Sequence, residues 1–133
     1  MKKITDFFKN DKFAKLCGIE LVEVSKGHAR AKMDITANHL NAVGTAQGGA
    51  IFTLADFAFA AAANSHGTVA VAINVNISFV KAAKTGPLFA EAKETSINPA
   101  LATYDVNITD QSGQLIAAFH GMVYRKEQKL EDF

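Results

Sequence analysis

The carboxylate of Asp56 and the neighbouring glycines Gly48 and Gly49 are the groups of this chain best suited to chemistry. Asp56 is the only formally charged residue between Asp34 and Lys81, and it lies in the most apolar stretch of the sequence. Burying a carboxylate is costly unless it is paired or hydrogen-bonded, and desolvation raises its pKa toward the working range of an acid or a base. We therefore predict a functional carboxylate. The alternative is a structural Asp bonded to backbone amides or to a partner chain.

Gly48 and Gly49 stand at the predicted start of a helix. The first N–H groups of a helix have no partner within it and carry partial positive charge. Because glycine has no side chain, a substrate oxygen can approach those amides closely. This geometry is that of an oxyanion hole, in which N–H groups stabilise the negative charge of an acyl-transfer intermediate. The alternative is that the two glycines only form a tight joint between a loop and the helix.

The elements that must position these groups follow the order α-β-β-α-β-β-β-β. An amphipathic helix is predicted over residues 3–16. A second helix, long and apolar, is predicted to follow Gln47 and to end at His66-Gly67. The strands are predicted, from their period of two and the turns between them, over residues 18–24, 29–35, 69–79, 88–96, 103–110 and 115–124. Consecutive strands with one apolar helix predict an α+β fold, in which a curved antiparallel sheet wraps around one long central helix. A single domain over residues 1–133 is expected.

Composition excludes several classes of function. The net charge of +1, with acidic and basic residues interleaved, does not favour a nucleic-acid or membrane partner. The one cysteine, Cys17, excludes an intramolecular disulfide and fits a reducing compartment. The N-terminus is too charged for a signal peptide, and the apolar run from Ala50 to Ala63 is too short for a membrane span. A cytoplasmic location is expected.

Several motifs resemble those of the hotdog-fold acyl-CoA thioesterases, most closely the PaaI-type branch of phenylacetate degradation. The resemblance covers residues 13–125 and rests on Asn41, Gln47-Gly48-Gly49 and Asp56. The family pattern is an Asn, then His-Gly-Gly, then an acidic residue eight positions after the first Gly. Gln47 takes the place of the family's His. A glutamine can still form hydrogen bonds, but it cannot take up a proton.

The resemblance implies hydrolysis of an acyl-CoA thioester, with an aryl or a short- to medium-chain acyl group, to the free acid and CoA. Asp56 would act as general base or as nucleophile, and the amides of Gly48 and Gly49 would stabilise the oxyanion. Gln47 would position the carbonyl or the carboxylate, and Asn41 the water, unless Asn41 only forms a local turn. No metal or redox cofactor is expected, because coenzyme A enters as part of the substrate.

Coenzyme A also needs polar and basic contacts. Asn74, Asn76 and Ser78 form the polar side of the long strand, where they would contact the pantetheine arm, pair across a dimer, or face solvent. Lys81 falls where the family often has Arg and is the candidate for the CoA phosphates. The loop Asn98-Pro99-Ala100 departs from the Gly-Lys turn that is common in relatives.

Gly48 and Asp56 lie about 12 Å apart along one helix and differ by about 80° around it, so one carbonyl cannot easily meet both from the same chain. We therefore predict a homodimer with two shared sites, which would pair again to a tetramer. Two other functions stay open. One is a non-catalytic hotdog protein that binds acyl-CoA. The other is a hotdog dehydratase or hydratase, which the missing His disfavours.

Overall fold

The computed structural model describes residues 1–133, apart from the side chain of residue 2. Its helices and strands follow the predicted order, with the N-terminal helix divided in two. The elements are α1 (Lys2–Phe8), α2 (Lys12–Leu16), β1 (Ile19–Ser25), β2 (His28–Asp34), α3 (Gly48–Asn64), β3 (Thr68–Phe79), β4 (Pro87–Ile97), β5 (Leu101–Thr109) and β6 (Leu115–Lys129). Short 3-10 helices follow β2 and β6, at Ala37–His39 and Leu130–Asp132.

The six strands form one antiparallel sheet in the order β1-β2-β4-β5-β6-β3, and α3 packs across it. On β2, β4 and β5 the buried residues alternate with more exposed ones, as expected for strands with one face on a core. Small alanines on β2 and β4 let the helix approach the sheet, and larger side chains on β5 fill the space beside it. The predicted α+β fold, a curved antiparallel sheet around one long central helix, is confirmed.

Helix α3 is the centre of the core. Leu54, Ala55 and Ala58 are fully buried against the sheet, whereas Gly49 and Asp56 lie on the side that the sheet leaves partly open. The helix ends at Asn64, earlier than the predicted stop at His66-Gly67, with Ser65 as its C-terminal cap. In the described part of the chain, no helix is long and apolar enough to cross a membrane.

The N-terminal segment differs from the single helix predicted over residues 3–16. Its apolar spacing is nearly helical throughout, but Asp11 starts a second helix by accepting a hydrogen bond from the N–H of Ala14 at 3.0 Å. The break turns the second half, so that Ala14 is buried while Phe13 and Leu16 are 60% and 81% exposed. These two side chains therefore do not pack on the body of the protein, whereas the amphipathic helix predicted over residues 3–16 requires that they do.

Strand β3 lies at one edge of the sheet and is paired only with β6. The period of two in its sequence predicts the apolar residues from Val69 to Phe79 on a single face. A register shift between Ala72 and Asn74 breaks this alternation, so Ile73 is 55% exposed. Within the chain this long and apolar strand therefore keeps an open edge, a feature that monomeric proteins usually protect.

Candidate active site

The N-terminus of α3 presents backbone N–H groups that are not used by the fold. The backbone carbonyl of Gln47 accepts from the N–H groups of Ala50 at 3.0 Å and Ile51 at 3.2 Å, and the Gln47 side chain forms no cap hydrogen bond. Among the residues that the structure describes, no protein atom accepts from the N–H of Gly48 or Gly49. These two amides are therefore available to an incoming oxygen.

A side chain at either glycine would require a neighbouring side chain to move. A Cβ on Gly48 would lie 3.1 Å from Cζ of Phe79, and a Cβ on Gly49 would lie 2.6 Å from Oε1 of Gln47. Such distances are shorter than ordinary van der Waals contacts. The Gln47 side chain thus folds back over the first turn of the helix, next to the unused amides.

Asn41 belongs to the loop that delivers the chain to α3. Its Oδ1 accepts from the N–H groups of Val43 and Thr45, both at 3.1 Å, and its Nδ2 donates to Oγ1 of Thr45 at 3.0 Å. These bonds form an Asx-type turn, closed by a bridge between Leu40 and Ala46. The local turn that we considered for Asn41 is therefore present, and the side chain still lines the opening beside Gly48.

Two crevices flank the start of α3. One, of about 380 Å³, is lined by Asn41, Gly48, Phe79 and Lys81. The other, of about 420 Å³, is lined by Gln47 and Gly49, together with Phe13, Cys17 and Thr53 among others. The fold therefore brings together Asn41, Gln47, Gly48, Gly49 and Lys81. The exposed Lys81 ammonium donates a hydrogen bond to the side-chain oxygen of Gln114.

Asp56 is half-buried on α3 and lines neither of these crevices. Burial raises the pKa of its carboxyl above the usual range, and the negative charge of Asp11 raises it further. Within the described chain no hydrogen bond to the Asp56 carboxylate contributes to this pKa, which burial and the charge of Asp11 shift. The backbone amides of its own chain therefore do not hold it, which removes one form of the structural alternative.

Asn74, Asn76 and Ser78 are not gathered at this site by the single chain. Val75 and Ile77, which alternate with them, pack against the core, so the three polar side chains project from the sheet face opposite α3. All three are exposed on the edge strand β3.

Two residues near the site, His39 and Asp11, were not predicted from the sequence. Nδ1 of His39 accepts from the N–H of Thr36 at 2.8 Å, which leaves Nε2 to donate to the carbonyl of Cys17 at 2.7 Å. His39 thereby connects the end of α2 to the loop before α3. The N–H of Gln47 in turn donates to the backbone carbonyl of His39 at 2.8 Å. The spacing Thr36-x-x-His39 was a capping signal for this turn. Asp11, the second missed residue, had no signal in the sequence that linked it to Asp56.

A second polar cluster lies at the opposite end of α3 and fixes the helix to the sheet. Oε1 of Glu94 accepts from the buried hydroxyl of Tyr104 at 2.6 Å and lies 2.8 Å from Nε2 of His66. Burial and the charge of Glu94 raise the pKa of the Tyr104 hydroxyl. Oγ of Ser65, the residue after the helix, accepts from the N–H of Gly27 at 2.8 Å. These bonds anchor the C-terminal end of α3 and do not reach the candidate active site.

Comparisons with known proteins agree with this architecture. Residues 43–117 match the Thioesterase superfamily. A relative from Archaeoglobus fulgidus is 42% identical over 135 residues, which span 100% of this chain and 86% of that protein. The acyl-coenzyme A thioesterase PaaI of Escherichia coli is 36% identical over 119 residues, which span 89% of this chain and 85% of that protein.

The structural comparison gives the same result. The solved structure of E. coli PaaI, from the phenylacetic acid degradation operon, superposes with a TM-score of 0.93 at 33% sequence identity. The superposition covers 96% of this chain and 94% of that chain. The resemblance seen in the sequence is confirmed. The chain therefore belongs to the thioesterase superfamily, a family of thioester-hydrolysing enzymes, and its fold is the hotdog fold.

Proposed function

We propose that this protein hydrolyses acyl-CoA thioesters whose acyl group is an aryl or a short- to medium-chain group, releasing the free acid and CoA. The observation that carries the proposal is the start of α3, where the N–H groups of Gly48 and Gly49 have no acceptor within the described chain. Amides held in this way stabilise an oxyanion at little reorganisation cost. E. coli PaaI, by its name an acyl-CoA thioesterase, supports the choice of substrate class.

In the proposed reaction the carbonyl oxygen of the thioester accepts from the amides of Gly48 and Gly49. Asp56 removes a proton from water, whose oxygen bonds to the carbonyl carbon, and the oxyanion forms at the amides. When the intermediate collapses, the carbon–sulfur bond breaks, the thiolate of CoA leaves, and the proton is passed to it. In the nucleophilic variant the Asp56 carboxylate attacks the carbon and expels the thiolate, and water then hydrolyses the mixed anhydride.

The remaining groups position the substrate. Gln47, folded over the first turn of α3, donates a hydrogen bond from its amide to the carbonyl or to the carboxylate, and Asn41 orients the water at the neighbouring opening. Lys81 contacts the CoA phosphates, because it is the exposed cation on the same crevice as Gly48. Asn74, Asn76 and Ser78 contact the pantetheine arm from the edge strand.

A homodimer completes the site. Gly48 and Asp56 are about 12 Å apart along α3, and Asp56 lines neither crevice at the helix start. The open edge of β3 offers a surface for a second copy, because Ile73 and Phe79 are exposed there and an unpaired apolar edge favours strand pairing. Each site then takes its amides from one protomer and Asp56 from the other. Two such dimers pair to a tetramer.

Release of CoA thiol from a panel of acetyl-, octanoyl-, benzoyl- and phenylacetyl-CoA tests the activity, with Asp56→Ala and Asp56→Asn as variants. We expect wild-type turnover that falls at least about 100-fold in both variants, a loss of about 2.7 kcal/mol of transition-state stabilisation. Binding of acyl-CoA without turnover would indicate a non-catalytic acyl-CoA-binding protein. Under that outcome, a large gain of activity in Gln47→His would trace the defect to the missing imidazole.

A further inference from the structure

A cavity of about 560 Å³ lies between the N-terminal helices and the central helix. Its apolar walls come from four elements: Phe8 of α1, Ala14 of α2, Ile19 and Leu21 of β1, and Phe57 of α3. Four of these five residues are more than nine-tenths buried, so the walls belong to the interior of the protein. The cavity falls within the usual size range of small-molecule sites.

This cavity opens on the same side of α3 as the crevice at the helix start. Gly49, Thr53 and Phe57 are spaced by four residues, so they follow one another along one side of the helix. Gly49 and Thr53 line the crevice, and Phe57 lines the cavity. Asp56 lies between Thr53 and Phe57 in sequence. Asp11, which lines the cavity, is close enough to influence the Asp56 carboxyl.

The charges that line the cavity indicate which class of ligand it can hold. The charged residues that line the cavity are two lysines and two acids, Lys9, Lys15, Asp11 and Glu20. With opposite charges in equal number, the lining has no net charge that would attract a carboxylate or an ammonium group. Its apolar walls instead favour a neutral hydrocarbon.

We propose that this cavity receives the apolar acyl chain of the substrate, so that α1, α2 and β1 determine acyl-chain specificity. The inference rests on the proposed thioesterase function. In the dimer, a thioester held by the amides of one protomer is attacked beside Asp56 of the other, and its acyl chain extends past that carboxylate into the cavity of the same protomer as Asp56, walled by Phe8, Ala14 and Phe57. The walls before α3 lie outside the segment 43–117 that matches the thioesterase superfamily. Specificity is thus carried by the part of the chain that the shared thioesterase segment does not include.

The Kd values of non-hydrolysable S-alkyl-CoA thioethers show which alkyl-chain lengths the cavity accepts, without requiring turnover. Ethyl-, octyl- and dodecyl-CoA are titrated by calorimetry against wild type, Ala14→Leu and Phe8→Ala. Ala14→Leu fills the cavity from α2, and we expect the Kd for octyl- and dodecyl-CoA to rise at least about tenfold, with ethyl-CoA changed less than about threefold. Phe8→Ala removes the ring that packs on Phe57 at 5.6 Å, which enlarges the cavity. We expect it to shift preference toward the dodecyl ligand.

Phe7→Ala is the matched control. It removes an identical side chain from the same helix. The Phe7 ring packs against Phe8 at 5.2 Å and Phe133 at 5.9 Å, but Phe7 itself does not line the cavity. We expect its chain-length profile to equal that of wild type. If Ala14→Leu unfolds, Leu21→Phe fills the same cavity from β1 and takes its place.

This design distinguishes a failure of the acyl-chain assignment from a failure of the thioesterase proposal. A wild-type profile in every folded cavity-filling variant, or equal affinity of the wild type for all three ligands, would overturn the acyl-chain assignment. In the other outcome, the corresponding thioesters bind with an affinity that depends on chain length, and that Ala14→Leu abolishes, without being hydrolysed. This result would overturn the thioesterase proposal and support the assignment of the cavity to the acyl chain.

Discussion

The ring of Phe79, on the edge strand β3, closes against Gly48 so tightly that a Cβ on Gly48 would lie 3.1 Å from Cζ of the ring. Phe79 remains 52% exposed, so it belongs at once to the open sheet edge and to the start of α3. A second copy that pairs along this edge would therefore come next to the unused amides. The proposed dimer interface and the proposed oxyanion hole are one continuous region.

The role of the Gly48 amide is tested by replacing it with proline. Gly48 is the first residue of α3, a position that proline tolerates, and Gln47 has the extended conformation, φ −65° and ψ 140°, that precedes proline readily. Gly48→Pro removes the N–H while the helix can still start. We expect kcat to fall about 100- to 1000-fold, measured by release of CoA thiol.

Gly48→Ala is the control for this substitution. It places a Cβ against Phe79, as proline does, but it keeps the N–H. We expect it to retain activity within about tenfold of wild type, because only the contact with the ring changes. Equal losses in Gly48→Ala and Gly48→Pro would show that steric fit, rather than hydrogen bonding by the amide, is what Gly48 provides.

Asp11 should influence the pH dependence of the reaction. Its negative charge raises the pKa of Asp56, and a base must be ionised to act, so activity is lost as pH falls through that pKa. Asp11→Asn removes the charge and keeps a side chain that caps α2. We expect the acidic limb of the kcat/KM profile to move to lower pH.

Asp6→Asn provides the comparison for Asp11→Asn. Asp6 is an exposed carboxylate on α1 that lies 3.6 Å from the ammonium of Lys9. Its removal changes the net charge equally, and we expect no displacement of the acidic limb. If both variants moved the limb to the same extent, the effect would come from net charge and not from the proximity of Asp11 to Asp56.

Asp56 should also lower the stability of the fold at neutral pH. Because its pKa is raised in the native state, the native state binds more protons than the unfolded state between the ordinary pKa of Asp, about 3.9, and the raised value. The wild type therefore loses stability as pH rises through this window. The Asp56→Asn variant does not lose this stability, because the asparagine side chain does not ionise. We expect its thermal midpoint to exceed that of wild type by at least about 2 °C at pH 7.

The difference between the two midpoints should disappear below about pH 4, where Asp56 is protonated in both states. Differential scanning calorimetry at matched protein concentration measures it, since dimerisation makes the midpoint depend on concentration. A difference that stays constant from pH 4 to pH 7 would show that the substitution acts through packing rather than through the ionisation of Asp56.

The sequence predicts the central helix and the strand order because periodicity and buried composition are local signals. The break at Asp11 escaped the prediction, since apolar spacing alone does not show that a capping side chain ends one helix and starts another. The exposure of Ile73 escaped it as well, because a β-bulge adds a residue without changing the alternation of residue types. Among the candidate site residues, Gly48 and Asp56 could be named from their chemistry and position in the sequence, and Asn41 and Gln47 from the resemblance to the hotdog-fold thioesterases.

Other features of the site depend on tertiary packing and leave no local signal. Gln47 folds over Gly49 only because the loop before α3 places it there. Asp11 reaches the neighbourhood of Asp56 only because α1 and α2 return across the central helix. The cavity beside Phe57 needs walls from four separate elements, so no single stretch of sequence predicts it.

The central claim is that each active site combines the helix start of one protomer with Asp56 of the other. Differently tagged chains, one carrying Gly48→Pro and the other Asp56→Asn, are co-expressed, and the hybrid dimer is purified through both tags. In a shared arrangement, one site of the hybrid carries both substitutions and the other carries none. We expect the hybrid to show about half of wild-type kcat, while each parent homodimer is nearly inactive. A hybrid as inactive as its parents would contradict the account, because each chain would then supply its own complete site.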